Sequence, residues 1–259
     1  MFEKELKAMI EVAKLASKNI MNYYIHGFHT EIKEDNSPVT EADKTTDVLI
    51  RNYLHERFPK YAFLTEESVD DKSRLENDFV FIIDPLDGTK DFVHKDGQFT
   101  SNIALAYKHK AVVGVVAIPA TGEIYFASEG NGAFRMDAEG NITKIHVNDK
   151  KEDLTCLTSV FHFTGNEKEM LKKHEDKIKH VEKCGSSIKA CRIAEGKAEI
   201  SYRLNDGTKE WDTAAFQIIV EEAGGLVVKF DKTPLHYNRE DVYNHDGYVV
   251  INNIDNLLI

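Results

Sequence analysis

Cysteine is scarce in this chain. The 259 residues contain only Cys156, Cys184 and Cys191, with no CxxC spacing between them. An odd number of widely separated cysteines argues against a disulfide framework and against a zinc site built from cysteine pairs. We therefore expect reduced thiols whose role is packing.

Long apolar runs are also missing. The first segment, MFEKELKAMIEVAKLASKNIM, is interrupted throughout by Glu and Lys. It lacks the continuous apolar stretch of a signal peptide or of a membrane-spanning helix. The sequence predicts a soluble, cytoplasmic protein with no membrane partner.

Basic residues are outnumbered: 33 Lys and Arg stand against 44 Asp and Glu, which gives a formal net charge of −11. Such a balance disfavours nucleic acid polymers and anionic membranes as partners. A bound divalent cation would reverse the sign of the potential locally. The chain also has no P-loop, no G-x-G-x-x-G fingerprint and no G-x-S-x-G elbow, so these sequence motifs support neither dinucleotide binding nor serine hydrolase chemistry.

The order of predicted elements indicates an α/β (α+β) protein with two parts. Residues 1–135 read as two helices followed by a meandering sheet, and residues 136–259 as alternating strands and helices with a largely parallel component. We place a domain boundary near residue 135. The charged stretch 70–78 is expected to be a mobile, solvated loop.

The most informative segment is Asp84-Pro85-Leu86-Asp87-Gly88-Thr89. It follows the apolar run 79–83, which reads as a buried strand. Proline cannot continue a central ladder, so Pro85 is expected to take the chain out of the sheet and carry both aspartates into a turn. By itself, this pattern is also that of an Asp-Gly turn with two solvated carboxylates.

Four carboxylates occupy predicted strand ends or helix starts, where fixed backbone would hold them together: Glu66, Asp84, Asp87 and Asp212. Like charges at contact distance raise each other's pKa steeply, so such a group needs cations in order to ionise. An oxygen-only set favours Mg²⁺ over zinc. The sequence thus predicts a magnesium site to which the C-terminal part of the chain contributes Asp212.

Four motifs in this order resemble those of the lithium-sensitive, Mg²⁺-dependent phosphomonoesterases of the inositol monophosphatase superfamily: residues 40–43 (TEAD), 65–68 (TEES), 84–89 (DPLDGT) and 211–215 (WDTAA). The resemblance spans most of the chain. It implies a layered αβαβα sandwich of the sugar-phosphatase type.

Three segments look like their counterparts in the bacterial 3′(2′),5′-bisphosphate nucleotidases of the CysQ type: Lys90-Asp91-Phe92, residues 97–105 and residues 185–189. This similarity implies hydrolysis of adenosine 3′,5′-bisphosphate to AMP and phosphate. Phe92-Val93-His94 is close to the inositol monophosphatase form and keeps that activity, or that of another small sugar phosphatase, as the alternative. A more remote alternative is a catalytically inactive binding or regulatory protein with the same fold.

The resemblance also implies residue roles. Glu66, Asp84 and the Leu86 carbonyl would hold one metal ion, and Asp84, Asp87 and Asp212 a second, with two to three Mg²⁺ ions in all and inhibition by Li⁺. Asp43 and Thr89 would orient and deprotonate the attacking water, for which Glu66 also counts as catalytic. Glu67 is ranked below Glu66.

For the substrate, the N–H groups of Gly88 and Thr89 are expected to hold the scissile phosphate at a helix start. A second phosphate or the ribose is expected to bind at another strand-to-helix turn, within residues 185–189. An ordinary helix cap with a solvated lysine accounts for that turn equally well. The partner is thus a small phosphomonoester, the candidate assembly is a homodimer, and the candidate substrate-binding residues are Gly88, Thr89, Lys90, Gly185, Ser186, Ser187 and Lys189.

Overall fold

The structure is a computed structural model that describes residues 2–33 and 36–258. Helix α1 (Glu3–His26) leads into a two-stranded hairpin, β1 (Thr30–Ile32) and β2 (Pro38–Thr40), and then into α2 (Glu41–Arg57). The fold that follows is built on two larger sheets with helices between and outside them.

A seven-stranded sheet forms the first large layer. Its spatial order is β3-β4-β5-β6-β7-β8-β9, in which β3 pairs with β4 in parallel and every later pair is antiparallel. The strands are β3 (Ala62–Thr65), β4 (Phe79–Asp87), β5 (Thr100–Tyr107), β6 (Lys110–Ile118), β7 (Glu123–Ser128), β8 (Ala133–Met136) and β9 (Ile142–Ile145).

Helices α1 and α2 cover one face of this sheet. Met9, Val12 and Ala16 recur at helical spacing on α1 and pack with Phe81 and Val113 in one buried cluster. This periodicity is the reason that the segment folds as an amphipathic helix against the sheet.

The other face is covered by α5 (Ile188–Ala194) and α6 (Glu210–Glu222), which share a second core cluster with β4 to β7. Gly114 on β6 allows this close packing: a Cβ at that position would lie 2.1 Å from the carbonyl oxygen of Ala215 on α6. A side chain there would push the helix away from the sheet.

The second sheet has five strands in the order β11-β10-β12-β14-β13. The β10–β11 and β10–β12 pairs are parallel, whereas β14 is antiparallel to both of its neighbours. The strands are β10 (Leu154–Thr158), β11 (Ile178–Lys183), β12 (Ile200–Arg203), β13 (Leu226–Val228) and β14 (Tyr248–Ile251).

The remaining long helix, α4 (Gly165–Lys173), packs Met170 and Leu171 on the outer side of this second sheet. The layers therefore alternate as α1 and α2, seven strands, α5 and α6, five strands, and α4. This is the predicted αβαβα sandwich.

Two local expectations were wrong. Strand β4 continues through Pro85 to Asp87, and Pro85 is accommodated by an irregularity that interrupts the ladder to β5 between Asp84 and Asp87. The charged stretch contains a 3₁₀ helix, Ser73–Glu76, which is anchored because the buried Arg74 pairs with Asp70 and donates to Asn238. Arginine can be buried in this way only because its donors are satisfied.

The predicted domain boundary at residue 135 falls within β8, and the division into two domains stays a prediction. Among the helices in the described part of the chain, none is both long and apolar enough to span a bilayer.

Candidate active site

The ends of β3 and β4 and the beginnings of α3 (Thr89–His94), α5 and α6 meet at a cavity of about 260 Å³. Nine of the sequence-predicted site residues line it, whereas Asp43, Asp84, Leu86 and Gly185 do not; the first three are each 1% exposed. The lining residues from the predicted set are Glu66, Asp87, Gly88, Thr89, Lys90, Ser186, Ser187, Lys189 and Asp212.

Three of the predicted metal ligands converge. One carboxylate oxygen from each of Asp84, Asp87 and Asp212 lies within 4.8 Å of the other two. Burial and the neighbouring carboxylates raise the pKa of Asp84 well above its ordinary value, and burial together with Asp87 and Glu66 raises the pKa of Asp212 to about 8. Oxygen donors that repel one another in this way suit a hard divalent cation.

Asp87 is held in place by a set of donors that sequence reasoning did not assign to it. Its Oδ2 accepts from the Ser187 backbone N–H at 2.8 Å and from the Ser187 hydroxyl at 3.0 Å. Thr100 Oγ1 and Asn102 Nδ2 approach the same oxygen at 3.3 and 3.4 Å. Ser187, predicted to bind substrate, thus directs both of its donors to the aspartate.

Asp43 and Thr89 form the predicted pair. Thr89 Oγ1 lies 3.0 Å from Asp43 Oδ1 and 3.2 Å from the Leu86 carbonyl oxygen. Asp43 Oδ2 accepts from the backbone N–H of Thr40 at 2.8 Å and from the Thr40 hydroxyl at 2.6 Å, as part of the N-terminal cap of α2. Burial raises the pKa of Asp43, which moves this carboxylate toward the range of a general base at neutral pH.

Glu66 lines the cavity, but its nearest charged partner is Lys33 rather than another ligand. Lys33 Nζ lies 3.0 Å from Glu66 Oε1 and also contacts Glu67 Oε1. Although burial opposes it, the two carboxylates raise the pKa of Lys33, so the ammonium stays charged. Burial raises the pKa of Glu67 to about 7 despite this contact. Lys33 was not predicted as a site residue, because no motif or spacing in the sequence marks it.

Two turns, one at Gly88 and one at Gly185 and Ser186, lie beside the cavity. Gly88 has φ 86° and immediately precedes α3, a conformation that glycine adopts without strain. A Cβ on Gly185 would lie 2.5 Å from the Gln98 carbonyl oxygen, so only glycine fits there. The following Ser186 has φ 42°, an unusual value for a residue with a side chain.

Five basic side chains line the same cavity: Lys90, His162, Lys189, Arg203 and Lys209. Lys189 is half-buried, and its Nζ donates to the carbonyl oxygens of Ser186 at 2.6 Å and of Cys184 at 3.2 Å. Partial desolvation lowers the pKa of Lys189, and partial desolvation with Arg203 nearby lowers that of His162 to about 4. Arg203 and His162 were not singled out from the sequence, because neither has a local motif.

The model that describes the inositol monophosphatase family matches residues 2–258. The chain belongs to the inositol monophosphatase family. This confirms the predicted family and, with it, the enzyme class, a phosphatase.

Individual relatives in the family cover nearly the whole chain. The protein from Aggregatibacter actinomycetemcomitans named 3′(2′),5′-bisphosphate nucleotidase CysQ is 32% identical over 95% of this chain and 91% of its own length. Inositol monophosphatase 2 of Solanum lycopersicum is also 32% identical, over 95% of this chain and 97% of its own. Overall identity alone therefore does not separate the two activities.

The solved structures confirm the fold. The crystal structure of CysQ from Bacteroides thetaiotaomicron has a TM-score of 0.85 at 33% identity and covers 98% of this chain and 99% of its own. An IMPase of Thermotoga maritima has a TM-score of 0.81 at 26% identity, over 96% and 92% of the two chains.

Proposed function

We propose that this protein is a Mg²⁺-dependent 3′(2′),5′-bisphosphate nucleotidase that converts adenosine 3′,5′-bisphosphate to AMP and phosphate. The observation that carries the proposal is that one cavity joins a carboxylate cluster to Lys189, a half-buried lysine with no ion-pair partner in the described part of the chain. Among the described residues, no carboxylate lies within 4.0 Å of Lys189 Nζ. An anion from outside the chain would stabilise the charge of this half-buried ammonium.

A substrate with two phosphate groups satisfies both ends. The scissile phosphate would lie against the carboxylate cluster and the N–H groups at the start of α3, and the other phosphate against Lys189; Lys90 and Arg203 also line the cavity. The Nε of Arg203 is buried without a hydrogen-bond partner, so this guanidinium has donor capacity left. An inositol monophosphate would leave the cation unpaired.

The donors present fit Mg²⁺. Asp84, Asp87 and Asp212 provide one group of oxygens, and the Leu86 carbonyl and Glu66 are the further predicted ligands. When bound, Mg²⁺ would neutralise phosphate charge and make water easier to deprotonate.

The remaining chemistry falls to the chain itself. Because Thr89 Oγ1 donates to Asp43 Oδ1, its lone pairs face away from the carboxylate and can accept a hydrogen bond from a water. The proton that this water loses can pass through the hydroxyl to Asp43, whose raised pKa favours acceptance. The resulting hydroxide attacks phosphorus as the bond from phosphorus to the ribose 3′ oxygen breaks. That oxygen takes a proton from solvent and leaves as the 3′ hydroxyl of AMP, so a covalent phosphoenzyme is not required.

The test is a phosphate-release assay that compares adenosine 3′,5′-bisphosphate, inositol 1-phosphate and fructose 1,6-bisphosphate at equal Mg²⁺. The proposal expects the highest kcat/KM for the nucleotide. A clear preference for inositol 1-phosphate would replace it with the alternative function, and no turnover of any substrate would favour an inactive binding protein. Inhibition by Li⁺, a cytoplasmic location and a homodimer stay predictions from the sequence.

A further inference from the structure

Helix α2 carries two buried acids one turn apart, Asp43 and Asp47. Asp43 reaches the Thr89 hydroxyl. Asp47 is 2% exposed and takes no part in the chemistry described above. The contacts of Asp47 indicate what this buried carboxylate does on the helix.

Asp47 links α2 to the loop that carries Glu66. Its Oδ2 accepts from the Ser68 hydroxyl at 2.9 Å and from Arg51 Nε at 2.8 Å. Arg51 is one turn further along α2 and neutralises the charge. Ser68 lies two residues beyond Glu66, so this bond ties the loop back to the helix.

The loop has an anchor at its other end as well. The backbone N–H of Glu66 donates to the Ile83 carbonyl oxygen at 3.2 Å, which extends the parallel pairing of β3 with β4. Glu66 is therefore held between the sheet on one side and the bond from Ser68 to Asp47 on the other.

Anchoring Glu66 on both sides counteracts a repulsion between two carboxylates. Asp43 and Glu66 are close enough for the charge of Glu66 to raise the pKa of Asp43, so the two carboxylates repel each other. Backbone that is pinned on both sides resists this repulsion. Burying a carboxylate is costly even when it is paired, and a loop with no positional role would not need it.

We propose that Asp47 is a positioning residue that sets the place of Glu66 relative to Asp43 through its hydrogen bond with Ser68. This inference rests on the proposed function, because Glu66 is there a metal ligand and holds the attacking water. Asp43 lies on α2, and Glu66 lies on the loop that is hydrogen-bonded to α2. One rigid helix therefore sets the distance between the two carboxylates.

The experiment measures Mg²⁺ binding by isothermal titration calorimetry, together with kcat, on purified variants. Ser68→Ala and Asp47→Ala should each raise the Mg²⁺ dissociation constant by about 10-fold. Losing a group that holds a metal ligand in place typically weakens metal binding by about 10- to 100-fold. The double variant should be no weaker than the weaker single variant, because both remove the same bond.

Asp47→Asn is the conservative variant. Oδ1 of Asp47 has no hydrogen-bond partner, so an asparagine can place its oxygen at the Oδ2 position and its amide nitrogen at Oδ1. Both donors are then still accepted, and Mg²⁺ affinity should stay within about 3-fold of the parent protein. If Asp47 only stabilised the fold, Asp47→Asn and Asp47→Ala would have the same Mg²⁺ affinity.

Glu199→Ala is the matched control. Glu199 is also 2% exposed and accepts two hydrogen bonds, from Asn148 Nδ2 and the Thr155 N–H, but it immediately precedes β12 of the second sheet. It should lower thermal stability without changing Mg²⁺ affinity. Normal affinity and kcat in Ser68→Ala would overturn the inference alone, whereas absence of Mg²⁺ binding by the parent protein would overturn the proposed function.

Discussion

Replacing Lys189 by methionine tests the substrate assignment most directly. Methionine keeps the length of the side chain and removes its charge. In the structure, two of the three N–H groups of Lys189 are used by the carbonyl oxygens of Cys184 and Ser186. One N–H therefore remains for an anion in the cavity.

The size of the effect follows from that single donor. A hydrogen bond to a charged group contributes about 1.5–3 kcal/mol. With about 1.4 kcal/mol for each factor of ten, Lys189→Met should lower kcat/KM for adenosine 3′,5′-bisphosphate by about 10- to 150-fold.

The informative comparison is with adenosine 3′-monophosphate, which has the same base, sugar and scissile phosphate but no 5′-phosphate. Lys189→Met should change kcat/KM for this substrate by less than about 3-fold, because the lost donor had no anion to contact. Lys172→Met, at an exposed position on α4, should leave both substrates unaffected.

Thermal unfolding of each variant separates a binding effect from a folding effect, since the carbonyl oxygens of Cys184 and Ser186 lose a donor in Lys189→Met. An equal loss of kcat/KM on both nucleotides, in a variant that is stably folded, would refute the assignment of Lys189 to the second phosphate.

Four further predictions concern the metal and the water. Asp87→Asn should reduce turnover by at least about 100-fold at ordinary Mg²⁺ while the unfolding temperature holds, and retained activity would contradict the metal assignment. Thr89→Val should lower kcat far more than KM in steady-state assays, whereas Thr89→Ser, which keeps the hydroxyl that contacts Asp43, should recover most of the rate. Because the pKa of Asp212 is raised to about 8, the metal-free folded protein binds more protons than the unfolded chain between about pH 4 and 8. Its stability should therefore fall as pH rises through that window, and the increase in melting temperature on adding Mg²⁺ should be larger at pH 8 than at pH 5; equal increases would contradict the raised pKa. Li⁺ at millimolar concentration or below should inhibit phosphate release, and insensitivity would count against the expected third ion rather than against the fold.

Much of the fold was accessible from the chain alone. Apolar periodicity located α1 and α2, short β-branched runs located β4 to β7, and the four acidic motifs identified the family and hence the layering. Local signals of this kind persist because each element must bury one face. The course of β4 through Pro85 and the buried Arg74 were missed, since both depend on partners distant in sequence.

The sequence by itself determined which residues carry the chemistry: the acidic motifs name Asp43, Glu66, Asp84, Asp87 and Asp212 as candidates before any coordinates. Only the tertiary structure decided how three of these carboxylates meet and what holds them. Ser187 bonds to Asp87 across 100 residues of sequence, and Lys33 reaches Glu66 across 33. No spacing rule encodes such contacts, because they arise when separate layers pack and each buried polar group must find a partner.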